Sequence, residues 1–300
     1  MNIGKFLWGL LIVLVGFVFI GINFGLIDSS IWNEIWRFWP VIIIIVGLSV
    51  VGRGLSKTGE MIFNIIIVVL AISLVVLAFN PKTRAYLKTK SPQVETQAIL
   101  ENLNPETADA SVLLSVGAGN IKLDGGSTQL IEGEVASNFS YPKISRSQSG
   151  KTQLVEINSQ SKVNLPFGPK NEWDLVLNDK IPTKLELKTG AVDGKLDLSN
   201  TFISDLTIKS GASSYNILFG EKPGTLKSDI DLGASSLKLR VPKSVGLKID
   251  MKSGVSSNNF TSRDLVKSGD VYKNSEYETA TSKIDLILKT GASSVELERF

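Results

Sequence analysis

The stretch LTIKSGASSYNIL at residues 206–218 decides the fold. Leu206 and Ile208 stand five and three residues before Gly211, and Tyr215 and Ile217 stand four and six residues after it. Apolar side chains at every second place mark half-buried strands, so the stretch reads as strand, tight glycine corner, strand. Glycine suits such a corner because it reaches positive φ without a Cβ clash. Alanine and serine are small enough to stack in the bend.

The phrase recurs. Gly-Ala-Ser-Ser returns at Gly233 and Gly291, Gly-Val-Ser-Ser stands at Gly254, and looser copies begin at Gly117 and Gly190. From Gly190 to Gly211, Gly233 and Gly254 the steps are 21, 22 and 21 residues, and Gly291 follows after 37. Repeats of this length indicate stacked architectures. The long last step places a polar insertion at residues 261–281. Leu187 and Leu185, Met251 and Ile249, and Leu288 and Leu286 keep the parity before their glycines; Leu237 and Leu239, and Val295 and Leu297, keep it after. The expected fold of residues 111–300 is therefore all-β, a β-solenoid-like stack with rungs about 4.8 Å apart. A β-sandwich is the alternative. The opposite parity carries charge. Lys188, Lys209, Asp231, Lys252 and Lys289 lie two places before the glycines, and Glu186, Asp229 and Asp250 lie four before. Interspersed charge of this kind is a solvated face that discourages edge association.

The first 80 residues have a different chemistry. Residues 6–27 carry no charge, enough for about 33 Å of helix against a hydrocarbon core of roughly 30 Å. Residues 39–52, extended backwards through Trp36 and Trp32, and residues 61–79 supply two further hydrophobic segments. An α-helical membrane region with about three spans is expected, followed by a basic juxtamembrane linker over residues 81–110. Gly21 and Gly25 form a small-xxx-small pair that permits close helix contact. Lys82, Arg84, Lys88 and Lys90 sit just past the third segment, where basic residues meet anionic headgroups on the cytoplasmic side. The β-domain is accordingly expected in the cytoplasm.

Histidine and cysteine are both absent, which removes the commonest general base, thiolate nucleophiles and disulfides. Gly150-Lys151-Thr152 lacks the earlier glycine of a phosphate loop, Ser145 standing in its place, and reads as a turn. Gly220 to Gly224, with Pro223, also reads as a turn. No residue is singled out as catalytic, metal-binding or cofactor-binding. A net charge of +3 with interspersed signs does not point to nucleic acid.

Two sets of phrases carry a family resemblance. The first is the apolar run ending at Gly25-Leu26, the Trp-rich link, and Trp39-Pro40 followed by VIIIIVGL at residues 41–48. It resembles the paired membrane segment of LiaI/LiaF-type bacterial envelope-stress proteins. The second comprises SVGAGNIKL at 115–123, LIEGE at 130–134, WDLVLN at 173–178, Ile181-Pro182 and the later Gly-Ala copies. These are similar to the toastrack domain. The resemblance implies a non-enzymatic plasma-membrane regulator that restrains or tunes the sensor histidine kinase of a two-component system responding to cell-wall antibiotics. It brings no catalytic residues with it. Members often have a fourth membrane segment, where this chain offers three. The expected partners are membrane lipids, a sensor histidine kinase and further copies of the chain. Two other functions compete: a membrane-anchored scaffold whose β-stack binds an envelope component, and a hydrolase using Ser–Lys or paired-carboxylate chemistry.

Overall fold

In the computed structural model, which describes residues 93–162 and 168–300, thirteen strands form one sheet that does not close. In chain order they are β1 (Glu95–Glu101), β2 (Asp109–Ser127), β3 (Ile131–Ser137), β4 (Ser140–Ser149), β5 (Thr152–Ser161) and β6 (Asn171–Asn178). There follow β7 (Thr183–Leu198), β8 (Ile203–Phe219), β9 (Gly224–Val241), β10 (Gly246–Asn258), β11 (Val266–Ser268), β12 (Val271–Lys273) and β13 (Ser282–Arg299). Each glycine phrase lies inside one long strand, and those six strands pair in parallel in the order β2-β7-β8-β9-β13-β10. The stacked reading therefore holds. The expected membrane segments, Gly21, Gly25, Lys82, Arg84, Lys88 and Lys90 all lie outside the described residues.

Chain length requires each rung to fold back on itself. β7 has 16 residues, roughly 50 Å if straight. Yet Leu198 is joined to Ile203 through only Ser199–Phe202, a reach of about 18 Å, and Ile203 pairs beside Thr183 at the start of the same strand. The strand must therefore bend so that its two arms face each other. Side-chain parity locates the bend. Leu185 and Leu187 are buried before Gly190 and Val192 and Leu196 after it, while Gly190 and Ala191 between them do not turn inward. The core fills the space between the arms, with Leu206, Ile208, Ile230 and Leu288 from one side and Tyr215, Ile217, Leu239 and Leu297 from the other. Tyr215 brings its hydroxyl to the Thr189 hydroxyl at 2.8 Å across this interior, and burial raises its pKa above the ordinary tyrosine value.

The glycines of the phrase do not take positive φ, contrary to the expectation from turn chemistry; positive values occur instead at Gly119, Gly150 and Gly224, among others. Close stacking is the reason for glycine. A Cβ on Gly190 would lie 2.3 Å from the Gly117 carbonyl oxygen, one on Gly233 2.5 Å from that of Gly211, and one on Gly254 2.8 Å from that of Gly291. Each rung's glycine carbonyl points at the next rung's glycine. Only a residue without Cβ lets neighbouring corners approach to sheet spacing.

The two ends of the stack differ. Beside β2 the rung splits: β5 pairs with its first arm and β6 with its second, and β4, β3 and β1 extend these antiparallel. β1 lies within the stretch expected as linker, so the β-domain reaches back at least to Glu95. Asn171 ties this end together: it donates to the Ala118 carbonyl at 2.7 Å and accepts from Trp173 Nε1 at 2.9 Å and from the Ser140 hydroxyl at 3.1 Å. At the other end, residues 259–281 fold over β10 as two short 3-10 turns (Phe260–Ser262 and Ser275–Glu278) and the β11–β12 ribbon. Asn259 substitutes for a missing strand there. Its Oδ1 accepts from Leu297 N at 2.8 Å, and its Nδ2 donates to Leu297 O at 3.1 Å. Asn274 does the same for Leu247 N and Val245 O.

Candidate interaction surface

Side chains at opposite parity to the core make two outer faces and a corner ridge. Six places before the glycines, the in-register column reads Lys184, Asp205, Lys227, Asp285, Lys248. Its signs alternate strictly. They do so because β13 lies between β9 and β10; in chain order Lys227 and Lys248 would be neighbours. Opposite charges side by side across a sheet contribute roughly 0.2–1 kcal/mol per pair, and like charges cost as much. The charge pattern and the rung order thus agree. Two places before the glycines, Asp231 breaks a column of lysines, and Lys289 turns to Asp229 at 3.0 Å. Lys188 likewise meets Glu186 at 3.2 Å. On the second arms Lys238 bridges Glu296 and Glu298 at 3.4 and 3.1 Å, holding the Glu298 carboxyl below its usual range.

The covering segment meets the alternating column at its β13–β10 end. Tyr277 donates to the Asp285 carboxylate, and Lys248, Lys273 and Lys283 place their ammonium groups 5.9, 5.7 and 5.5 Å from its ring centre. Burial, then the Asp285 bond, pushes the Tyr277 hydroxyl up to about 12. The bond clasps the covering segment to β13. A shallow groove beside it is lined by Asp205, Lys227, Asp229, Lys248, Asp250 and Asp285.

The corner glycines Gly117, Gly190, Gly211, Gly233, Gly291 and Gly254 form one column in that spatial order. Next to it runs a column of Ala118, Ala191, Ala212, Ala234, Ala292 and Val255. The serines of the phrase flank this ridge. Ser213 and Ser235 share a hydrogen bond at 3.1 Å, whereas Ser214, Ser236, Ser294 and Ser257 face outward. Among the described residues no serine hydroxyl is bonded to a lysine amine, and no three metal-ligating side chains converge. Gly150 is a turn residue with φ of 61°, and Gly224, with φ of 111°, opens β9. Sequence reasoning missed the asparagine caps and the Tyr277 clasp. The caps had a faint signal, since Asn259 and Asn274 both follow strand-like runs; the clasp had none.

These features define a class: an open β-stack with mixed outer charge and a membrane-anchor sequence before it. The comparisons give the family. The model described as the LiaF transmembrane domain matches residues 7–86, and the N-terminal domain of toast_rack, DUF2154, matches residues 87–240. The chain belongs to the LiaF-type family, a membrane regulator family in which a LiaF transmembrane domain is joined to a toastrack domain. A solved candidate cell-adhesion protein from Clostridium sporogenes ATCC 15579 is 24% identical with a TM-score of 0.64, covering 69% of this chain and 100% of its own. It shares the fold. A candidate adhesin from Bacteroides fragilis NCTC 9343 aligns at 11% identity with a TM-score of 0.20, over 69% of this chain and 98% of its own. No curated protein matches. Among the described residues no helix is long and apolar enough to cross a membrane.

Proposed function

We propose that this chain is a non-enzymatic, multi-pass plasma-membrane regulator that tunes the sensor histidine kinase of a cell-wall-stress two-component system, with its β-domain in the cytoplasm. The reading is carried by the adjoining of the two family models, one covering residues 7–86 and the other 87–240. Such a chain joins a bilayer anchor to a rigid β-stack. The stack's outer faces carry mixed charge, with one column alternating in sign in register, and suit reversible docking to a protein better than capture of a strongly charged polymer. The basic residues Lys82, Arg84, Lys88 and Lys90, next to anionic headgroups, favour the inner face by about 1 kcal/mol each.

The test is a reporter of kinase-dependent transcription in a strain lacking the gene, with and without a wall-active antibiotic. Basal output is expected to rise several-fold and to fall back on complementation. An unchanged reporter together with a wall-assembly defect would favour the scaffold instead. Sidedness is read in the complemented strain carrying Ser275→Cys, a surface position in an otherwise cysteine-free chain. A membrane-impermeant thiol reagent should label it only after lysis; labelling of intact cells overturns the cytoplasmic assignment.

A further inference from the structure

We infer that the toastrack domain dimerises by pairing β1 antiparallel with β1 of a second copy, centred on Gln97. β1 ends the sheet and has no partner on its outer side among the described residues. The hydrogen bonds Asn178 N to Leu130 O and Asn138 N to Lys170 O, made by the residues flanking β3, set the even-numbered groups within β3 towards β6, and Leu130 N donating to Glu101 O turns the Glu101 carbonyl towards β3. The odd-numbered groups of β3 therefore serve β1, opposite Glu95, Gln97, Ile99 and Glu101. It follows that the N–H and C=O groups of Thr96, Ala98 and Leu100 point away from the sheet, a ready template for another strand.

Among the described residues the other sheet margins are protected and this one is not. β4 carries Pro142, Lys143 and Arg146, β11 has 3 residues with Lys267 among them, and Asn259 closes the second arm of β13. β1 reads ETQAILE, without Pro, Gly, Lys or Arg. It also displays apolar surface: Val94 is 45% and Leu100 57% exposed, with Ala98 exposed between them on the same face. Centring the pair on Gln97 sets Val94 against Leu100 of the second copy and Thr96 against Ala98, and no glutamate faces a glutamate. The β1 carboxylates are already occupied, Glu95 by Lys162 at 2.7 Å and Glu101 by Arg146. A second copy is the occupant because the membrane-domain match ends at residue 86. The intervening residues 87–94 span at most about 30 Å, so copies confined to one bilayer hold their β1 strands at high effective concentration.

In full-length protein in membrane vesicles, Gln97→Cys should oxidise to a disulfide-linked dimer, because the two-fold sets Gln97 opposite itself in a non-hydrogen-bonded pair with Cα atoms about 4.5 Å apart. Gln148→Cys, exposed at the tip of the β4–β5 hairpin, measures random collision and should give at least tenfold less. Adding Ala98→Pro removes an outward N–H that no ladder among the described residues uses and should abolish the Gln97 product; Leu100→Lys, on an exposed side chain, should do the same should the proline variant prove protease-sensitive. Dimer at Gln97 no greater than at Gln148, or dimer that survives Leu100→Lys, overturns the inference, whether a foreign strand or a segment of the chain's own first 92 residues covers β1 instead.

Discussion

A chain ending at Thr281 is expected to lose the cooperative unfolding transition of the β-domain altogether. β13 is the last strand in sequence but an interior one in space, paired with β9 on one side and β10 on the other. Its Ile284, Leu286, Leu288, Val295 and Leu297 are each at most 2% exposed. Burying a side chain of this kind contributes about 1.5–3 kcal/mol, so five approach the whole stability of a typical domain, about 5–15 kcal/mol. β10 and its covering segment would also be left without a neighbour. In a stack ordered as the chain runs, the same deletion would cost one terminal rung and leave the others folded. Circular dichroism melts of the truncated and complete β-domain in the full chain distinguish the two; a transition within a few degrees of the parent would contradict the interior placement.

The second large effect lies in the glycine column. Gly190→Ala should destabilise the domain by about 2–3 kcal/mol, the upper part of the range for over-packed interiors, because its Cβ would sit 2.3 Å from the Gly117 carbonyl oxygen. The backbone cannot give way there without parting two rungs along their whole length. Gly117→Ala makes the same chemical change at the start of the column, where an added Cβ meets nothing within 4 Å. It should cost no more than about 0.5 kcal/mol. Denaturant melts of the pair read the difference directly. Equal losses would return the explanation to backbone conformation, which both positions share.

The glycine phrases and their flanking parity made the strands legible, because a half-buried strand writes its burial into every second residue. Leu185, Leu206, Tyr215, Leu239 and Leu297 were all placed on the core side by that rule, and all are buried. The reason for the glycines was not legible: a close approach between rungs leaves the same residue in the sequence as a positive φ. Rung order was hidden too. The 37-residue step from Gly254 to Gly291 announces an excursion but not that the returning strand slips between two earlier ones. The alternating column of Lys184, Asp205, Lys227, Asp285 and Lys248 held that information, yet it becomes visible only when β13 is already in position. β1 escaped notice because its seven residues belong to no repeat and follow a basic, proline-containing stretch that reads as linker. The caps at Asn259 and Asn274 replace a strand with one side chain, which no periodicity reveals.

Disulfide scanning along the outer serine column tests the rung order most directly, since the chain has no cysteine of its own. Ser236 pairs in register with Ser294, and Ser294 with Ser257, all three side chains facing outward. Neighbouring rungs are about 4.8 Å apart, within the Cα range a disulfide spans, whereas rungs two apart lie near 9.6 Å, beyond it. The double variants Ser236→Cys/Ser294→Cys and Ser294→Cys/Ser257→Cys should therefore oxidise to intramolecular disulfides, and Ser236→Cys/Ser257→Cys should remain reduced. A disulfide between positions 236 and 257, with none between 236 and 294, would mean that the rungs follow the chain and that β13 does not lie between β9 and β10.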